Sequence, residues 1–182
     1  RVENLLAAGA ANQKQLDEML TTPSAKLIED IGKIEGDIMI LGAGGKMGPS
    51  LCVLAANAVK AAGIKKRIIA VSRFSSEEAV QKLESAGVEV IRADLQKREE
   101  LDALPETENV IYMAGRKFGT EGHEWETWGM NATLSAFVAE KFKKSRIGVF
   151  SSANIYSIAP VRNGGPSEED AVVPMGEYPM SC

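Results

Sequence analysis

The sequence predicts a doubly wound α/β domain, in which helices cover both faces of a parallel sheet. Three observations predict it. Short apolar segments alternate with longer segments of helical periodicity. The first apolar segment runs directly into a glycine-rich loop, and a helical pattern follows that loop at once. Alternation of this kind builds right-handed βαβ units, so we expect a ligand crevice at the carboxyl ends of the strands.

The main domain is predicted to span residues 37–182. Its short apolar segments are typical of buried parallel strands: Ile38–Leu41, Arg67–Val71, Val88–Ile91, Asn109–Met113 and Ile147–Phe150. Helical patterns separate or follow these segments: Met47–Ala62, Ser75–Ala86, Lys97–Leu104 and His123–Lys144.

Residues 1–36 are predicted to form an N-terminal helical arm. Their apolar residues fall at helical spacing: Val2, Leu5, Leu6, Leu16, Met19, Leu20, Leu27, Ile28, Ile31 and Ile34. Thr22 is predicted as an N-cap, with Pro23 at the first helical position. We expect the arm to pack on the main domain or on a partner chain.

Composition excludes several classes of protein. Of the 182 residues, 45% are apolar and 25% charged, which is typical of a globular domain and not of a disordered chain. The net charge of −4 argues against nucleic-acid binding, and no apolar run reaches the ~18 residues of a membrane span. The lone histidine predicts no metal site. Two cysteines and an amino-terminal segment unlike a signal peptide lead us to expect a cytoplasmic protein.

The glycine-rich loop predicts a dinucleotide site. Glycines permit a tight turn and let backbone amides approach a pyrophosphate, which the amino end of the next helix also attracts. The loop lacks the Gly-Lys-Ser/Thr ending of a P-loop, which argues against an NTPase. Its predicted cofactor-binding residues are Gly42, Gly44, Gly45, Lys46, Met47 and Gly48.

The ends of the next two strands bear on the choice of cofactor. Ser72 and Arg73 stand where an NAD site usually has a carboxylate, so the pattern favours NADP over NAD, with Arg73 pairing with the 2′-phosphate. Alternatively, Arg73 faces solvent. Asp94 and Leu95 follow the third strand, and Asp94 either binds the adenine amino group or caps the next helix.

Six motifs follow one another along the chain: Gly42, Gly45 and Gly48 of a Gly-x-x-Gly-x-x-Gly loop, Tyr112-Met113-Ala114-Gly115, Met113–Lys117, Asn131 in 129–133, Ser151–Tyr156 and Tyr178. In this order they resemble the extended short-chain dehydrogenase/reductase superfamily. Over about residues 37–182 the resemblance is to the NAD-dependent epimerase/dehydratase family, and in particular to UDP-galactose 4-epimerase-like enzymes. It implies a Rossmann-type sheet of order 3-2-1-4-5.

The resemblance also implies the site residues. Met113, Ala114, Gly115, Lys117 and Asn131 would contact the cofactor. Ser152 would bind the reacting oxygen, and Tyr178 would be the acid/base.

Cys182 stands where the family's Tyr-x-x-x-Lys motif has its lysine, whose charge a thiol does not supply. This replacement has three interpretations. Another cation, for which Lys117 is the candidate, replaces the lysine. Alternatively, Ser152 and Tyr178 work without strong tyrosine activation. In the third, the site binds cofactor without turnover.

The resemblance further implies a hydride-transferring epimerase, dehydratase or reductase that acts on a sugar or nucleotide-sugar hydroxyl. The alternative is a non-catalytic dinucleotide-binding sensor. The resemblance implies a homodimer as well. It also implies that the carboxy-terminal half of the domain is missing, so that the sheet is completed by material outside this sequence.

Other conspicuous residues are interpreted as structural. Trp125 and Trp128 are predicted to pack, and the acidic cluster of residues 121–126 to be solvated. His123 is predicted at the surface or in a substrate loop, and Cys52 in the core.

Overall fold

The protein folds around a five-stranded parallel sheet of order β3-β2-β1-β4-β5, which confirms the predicted fold class and strand order. The computed structural model describes residues 9–117, 119, 121–160, 162 and 164–182. The strands are β1 (Ile38–Leu41), β2 (Ile68–Ser72), β3 (Glu89–Arg92), β4 (Asn109–Tyr112) and β5 (Arg146–Val149). Each differs from its predicted segment by at most one residue at either end.

Helices cover both faces of the sheet. In chain order they are α1 (Gln13–Thr21), α2 (Ala25–Lys33), α3 (Gly48–Ala61), α4 (Glu77–Ser85), α5 (Arg98–Asp102), α6 (Glu124–Trp128), α7 (Leu134–Lys141) and α8 (Glu177–Ser181). A π-helix joins α6 to α7 over Gly129–Thr133, and a 3₁₀ turn follows β5 over Ala153–Ile155.

The core lies in two layers because successive side chains of a strand point to opposite faces. Ile38 and Ile40 of β1 pack into the layer covered by α2, α3 and α4. Met39 and Leu41 pack into the layer covered by α5 and α7. All four residues of β1 are buried, and the strand lies in the middle of the sheet.

The prediction that all five strands are buried is wrong for two of them. Among the strands that the structure describes, β3 and β5 lie at the two edges of the sheet, and each pairs with one neighbour. Glu89 and Arg92 at the ends of β3 are therefore exposed, as are Val149 (62%) and the following Phe150 (49%) at β5. Apolar content predicted these strands but not their place in the sheet.

The long helix predicted over His123–Lys144 is also interrupted. Leu134 N–H donates to the carbonyl of Gly129, five residues back, so the chain carries one extra residue per turn at this point. The insertion shifts the register between α6 and α7 and centres on Asn131.

The N-terminal arm packs on the main domain through α3. Asn57 Nδ2 donates to the carbonyl of Thr21 at 2.8 Å, and Lys82 forms an ion pair with Asp17. The cap predicted at Thr22 is wrong: Thr22 ends α1, and its hydroxyl donates back to the Glu18 carbonyl. Ser24 caps α2 instead. Val2, Leu5 and Leu6 lie outside the described residues.

The turn between β1 and α3 brings three backbone segments into close contact. Gly42 has φ +86°, and a Cβ there would lie 2.6 Å from the amide nitrogen of Ala114. A Cβ at Gly48 would lie 2.1 Å from the carbonyl oxygen of Ala43. α3 therefore begins directly under the turn only because residue 48 has no side chain.

We expect Gly48→Ala to lower the free energy of unfolding by about 3 kcal/mol, because its methyl group overlaps a backbone carbonyl that cannot move freely. Gly45→Ala is the matched control, since a Cβ there meets only the Gly42 carbonyl oxygen at 3.5 Å. Urea unfolding of both variants measures the difference. Equal midpoints for the two would contradict the close contact.

Candidate functional site

Two adjoining grooves lie at the carboxyl edge of the sheet. The first has a volume of about 370 Å³ and the second about 300 Å³. Met113, Ala114 and Gly115, at the end of β4, line both grooves and join them. A ligand with two halves can therefore lie across the end of β4, as in doubly wound domains generally.

The first groove contains most of the residues that the glycine loop and the two strand ends predicted. Its predicted lining residues are Gly42, Gly44, Gly45, Ser72, Arg73, Asp94, Leu95, Met113, Ala114 and Gly115. Lys46 is exposed in the turn and Gly48 is buried beneath it, and neither lines a groove. Met47 lines the second groove.

The amino end of α3 has the features of an anion-binding site. No side chain caps this helix of 14 residues, and Pro49 occupies its first turn. The backbone N–H groups there and the helix dipole favour a phosphate. Gly44 and Gly45 place backbone at the groove wall, where side chains would narrow it. The residues present thus suit a pyrophosphate.

Asp94 is held in a loop ahead of α5. Its Oδ1 accepts from Gln96 N–H at 3.1 Å, whereas the N-cap of α5 is Lys97, so Asp94 does not cap that helix. Glu100 Oε2 accepts the Asp94 N–H at 2.6 Å. Lys97 pairs with the other oxygen of Glu100 at 2.8 Å. Glu100 thereby fixes the part of the loop that lines the first groove.

Phe74 is a groove residue that sequence reasoning passed over. It lines the first groove, is 6% exposed, and has φ +44°, which is uncommon for a residue with a large side chain. Arg92 donates to its carbonyl at 3.1 Å and forms an ion pair with Glu77. The strained backbone of Phe74 marks it as a residue of interest, and only the structure shows this strain.

The second groove brings together residues from five parts of the chain. Those predicted as site residues are Met47, Met113, Ala114, Gly115, Lys117, Asn131, Ser152, Tyr178 and Cys182. Lys117 Nζ lies 5.6 Å from the centre of the Tyr178 ring, within the range of a cation–π contact. Ser152 Oγ accepts from Asn154 N–H at 3.2 Å. A hydroxyl, a phenol, a thiol and an ammonium group therefore share this groove.

Asn131 lines the second groove and hydrogen-bonds two other segments of the chain. Its Oδ1 accepts the Arg116 N–H at 2.7 Å, and its Nδ2 donates to the Arg116 carbonyl at 3.1 Å and to Ser181 Oγ at 2.9 Å. Ser181 Oγ in turn donates to the Tyr178 carbonyl at 2.8 Å. Ser181, which sequence reasoning missed, has no distinguishing feature in the sequence.

Two further predictions near this groove need correction. Trp125 and Trp128 are exposed (72% and 37%) rather than packed in the core, and Trp128 Nε1 donates to Glu177 at 2.5 Å, which ties α6 to α8. Glu126 is not simply solvated, since it forms an ion pair with Arg116 and lies 3.4 Å from His123 Nδ1. The Trp128 hydrogen bond and the Arg116 ion pair join residues that are 49 and 10 positions apart in the sequence.

Other reactive groups are placed away from the site's chemistry. Burial raises the pKa of the Tyr112 phenol to about 12, and its hydroxyl donates to the Met130 carbonyl. Cys52 is fully buried, which confirms its predicted place in the core, and this burial raises the pKa of its thiol to about 12. Within the described ranges, no three His, Cys, Asp or Glu side chains cluster as metal ligands, and no helix has the length and apolar character to cross a membrane.

The fold resembles those of several enzymes of known structure, two of which are described as sugar epimerases. Helicobacter pylori ADP-L-glycero-D-manno-heptose-6-epimerase has a TM-score of 0.64 and 20% identity, over 87% of this chain and 50% of that one. The Bordetella bronchiseptica enzyme WbmG, solved in complex with NAD, has 0.63 and 18%, over 81% and 47%. UDP-N-acetylglucosamine 4-epimerase from Methanobrevibacter ruminantium, solved with UDP-N-acetylmuramic acid, has 0.58 and 19%, over 81% and 47%.

These likenesses show the fold. The chain spans about half the length of the solved structures it matches. Its sequence matches no protein-family model, and no curated protein matches it.

We expect Glu100→Gln to destabilise the protein most near neutral pH. The Lys97 hydrogen bond and the Asp94 N–H hold the pKa of Glu100 below its ordinary 4.5, so this stabilisation is complete above 4.5 and lost as pH falls through the folded-state pKa. The hydrogen bond to Glu100 raises the pKa of Lys97 above its ordinary 10.5. The stabilisation that the Lys97 charge contributes is therefore complete below pH 10.5 and is lost as the pH rises through the folded-state pKa.

Urea midpoints of wild type and variant at about pH 7 and about pH 3 test this pH dependence. The difference between the two proteins should shrink at the lower pH. Exposed Glu84→Gln is the control and should show no such change. An equal difference at both pH values would contradict the pairing.

Proposed function

We propose that this chain forms the cofactor-binding part and the acid/base centre of an NAD(P)-dependent epimerase, dehydratase or reductase. Its substrate would be a sugar or nucleotide sugar, oxidised or reduced at a hydroxyl-bearing carbon. The observation that carries the proposal is the pair of grooves joined at Met113–Gly115. One is lined by the glycine turn and the ends of β2 and β4, where a dinucleotide would bind, and the other is lined by Lys117, Ser152 and Tyr178 among others.

The first groove would hold the adenosine half and the pyrophosphate. The glycine turn and the amino end of α3 would bind phosphate, and Asp94 would bind the adenine amino group. NADP is the preferred cofactor, because Ser72 and the exposed Arg73 line the groove at the end of β2. A guanidinium there can pair with a 2′-phosphate through two parallel hydrogen bonds.

The second groove would hold the reacting centre. When bound, the nicotinamide ring supplies the chemistry of hydride acceptance and donation. Ser152 Oγ would donate a hydrogen bond to the reacting oxygen of the substrate, and the Tyr178 phenol oxygen would exchange a proton with it. Lys117 supports this role for Tyr178, since its ammonium group lies 5.6 Å from the centre of the tyrosine ring and residue 182 is a cysteine where the resembled family has a lysine.

A second candidate function is a dinucleotide-binding sensor without turnover. One observation favours it: Cys182 lies in the second groove with Tyr178, where the resembled family has a lysine. A sensor would bind cofactor and leave the nicotinamide unreduced in the presence of any sugar substrate. A Cys182→Lys variant that gains turnover would show that residue 182 is the deciding difference.

We expect calorimetric titration to show tighter binding of NADP than of NAD, and Arg73→Ala to weaken NADP binding by about tenfold or more while leaving NAD binding nearly unchanged. Lys65→Ala is the control, because it removes one positive charge at an exposed position near the start of β2. An equal loss in the two variants would reduce the effect to net charge. A wild type that binds neither cofactor would refute the dinucleotide site.

We expect Tyr178→Phe to keep cofactor binding and to lower turnover at least about a hundredfold, the usual contribution of a positioned acid/base. Tyr156→Phe is the matched control and should retain activity. Nicotinamide absorbance, followed with a panel of sugars and nucleotide sugars, measures both. Full activity in Tyr178→Phe would remove Tyr178 from the chemistry, and a wild type that binds cofactor without turning over any sugar would favour the sensor.

A further inference from the structure

A chain of hydrogen bonds runs from the end of β4 to the helix that carries Tyr178. It passes from the Arg116 backbone to the Asn131 amide, then to Ser181 Oγ, and ends at the Tyr178 carbonyl. Ser181 is only 4% exposed, so water does not replace these bonds readily. These hydrogen bonds link three segments that are far apart in the sequence.

The direction of each bond is fixed by the first. Arg116 N–H is a donor, so it must meet the amide oxygen of Asn131, which turns Nδ2 toward the Arg116 carbonyl and Ser181. Because Nδ2 only donates, Ser181 Oγ must accept from it and direct its own hydrogen to the Tyr178 carbonyl. Both amide hydrogens of Asn131 and the hydroxyl hydrogen of Ser181 are donated. No single residue of the network can therefore exchange its donor and acceptor roles without breaking a hydrogen bond.

This arrangement fixes the two groups that meet in the second groove. Lys117 directly follows Arg116, whose N–H and carbonyl both bind Asn131. Tyr178 is one turn before Ser181 on α8. Asn131 lies in the π-helix and hydrogen-bonds both segments, so that one side chain bridges the backbone next to Lys117 and the helix that carries Tyr178.

We propose that Ser181 is a positioning residue: with Asn131 it holds α8 at the rotation that places Tyr178 beside Lys117. Its catalytic meaning rests on the proposed function, but its structural role does not. Ser181 itself transfers no proton to a substrate, because its hydroxyl is buried and bound within the protein. It acts through the helix on which Tyr178 stands.

The first test is amide hydrogen exchange of residues 176–182 in the full chain. Ser181→Ala leaves Asn131 with an unsatisfied donor and should speed exchange of this segment about tenfold. Ser181→Thr keeps the hydroxyl and should restore slow exchange. Ser135→Ala is the matched control, since Ser135 Oγ donates to the Ala132 carbonyl within the same helical segment and away from α8.

Asn131→Asp is the second variant, and it keeps the shape of the side chain. Its carboxylate has no hydrogen for the Arg116 carbonyl or for Ser181, so the serine hydroxyl would turn toward it and release the Tyr178 carbonyl. We expect the same faster exchange of residues 176–182. Unchanged exchange in both Ser181→Ala and Asn131→Asp, or equal acceleration in Ser135→Ala, would overturn the proposal.

A second measurement separates positioning from general loss of stability. NADP and its nicotinamide-free fragment 2′,5′-ADP are titrated into each variant. We expect Ser181→Ala to weaken NADP binding about tenfold and to leave 2′,5′-ADP binding unchanged, with NADP binding rescued in Ser181→Thr. Equal losses for both ligands, or none for NADP, would overturn the positioning role.

The outcomes also separate the two proposals. If wild type binds neither NADP nor 2′,5′-ADP, the proposed function fails, and the exchange of residues 176–182 alone decides whether Ser181 holds α8. If wild type binds both and Ser181→Ala behaves like wild type in exchange and binding, the positioning proposal fails while the proposed function stands.

Discussion

The architecture depends on how closely the backbone can pack around the turn after β1. Gly42 lies against the start of the loop after β4, and Gly48 lies on the carbonyl of Ala43. Side chains at these positions would separate β1 from its neighbouring loop or lift α3 from the turn. The turn lines both grooves, through Gly42, Gly44 and Gly45 in the first and through Met47 in the second, so this contact region contributes to the shape of each.

The sequence predicts those parts of the structure that short-range patterns determine. Strand positions, the glycine turn and the helix that follows it depend on local periodicity and on residues without side chains, and they agree with the structure. Groove residues such as Arg73 and Asp94 were predictable because the ends of parallel strands meet at one edge. Their roles toward a cofactor stay predictions.

Features that arise from tertiary contacts were beyond sequence reasoning. The exposure of β5 depends on which strands have two neighbours, and the π-helix depends on how α6 and α7 each pack. Ser181 resembles any other serine until Asn131 is found beside it. The contact between Lys117 and Tyr178 joins a loop to a helix about sixty residues later, although the sequence alone already made Lys117 the candidate cation.

The attachment of α8 has a consequence for how the second groove opens. Trp128–Glu177 and Asn131–Ser181 bridge 49 and 50 residues, and they close nearly the same loop. The entropy of closing that loop is lost once, with the first of the two bonds; the second forms between groups already held together. The two bonds therefore cooperate like the arms of a bivalent ligand. Breaking either bond loosens the helix but leaves it at high effective concentration near its place in the fold, whereas breaking both removes the linkage between α8 and the segment of residues 128–131.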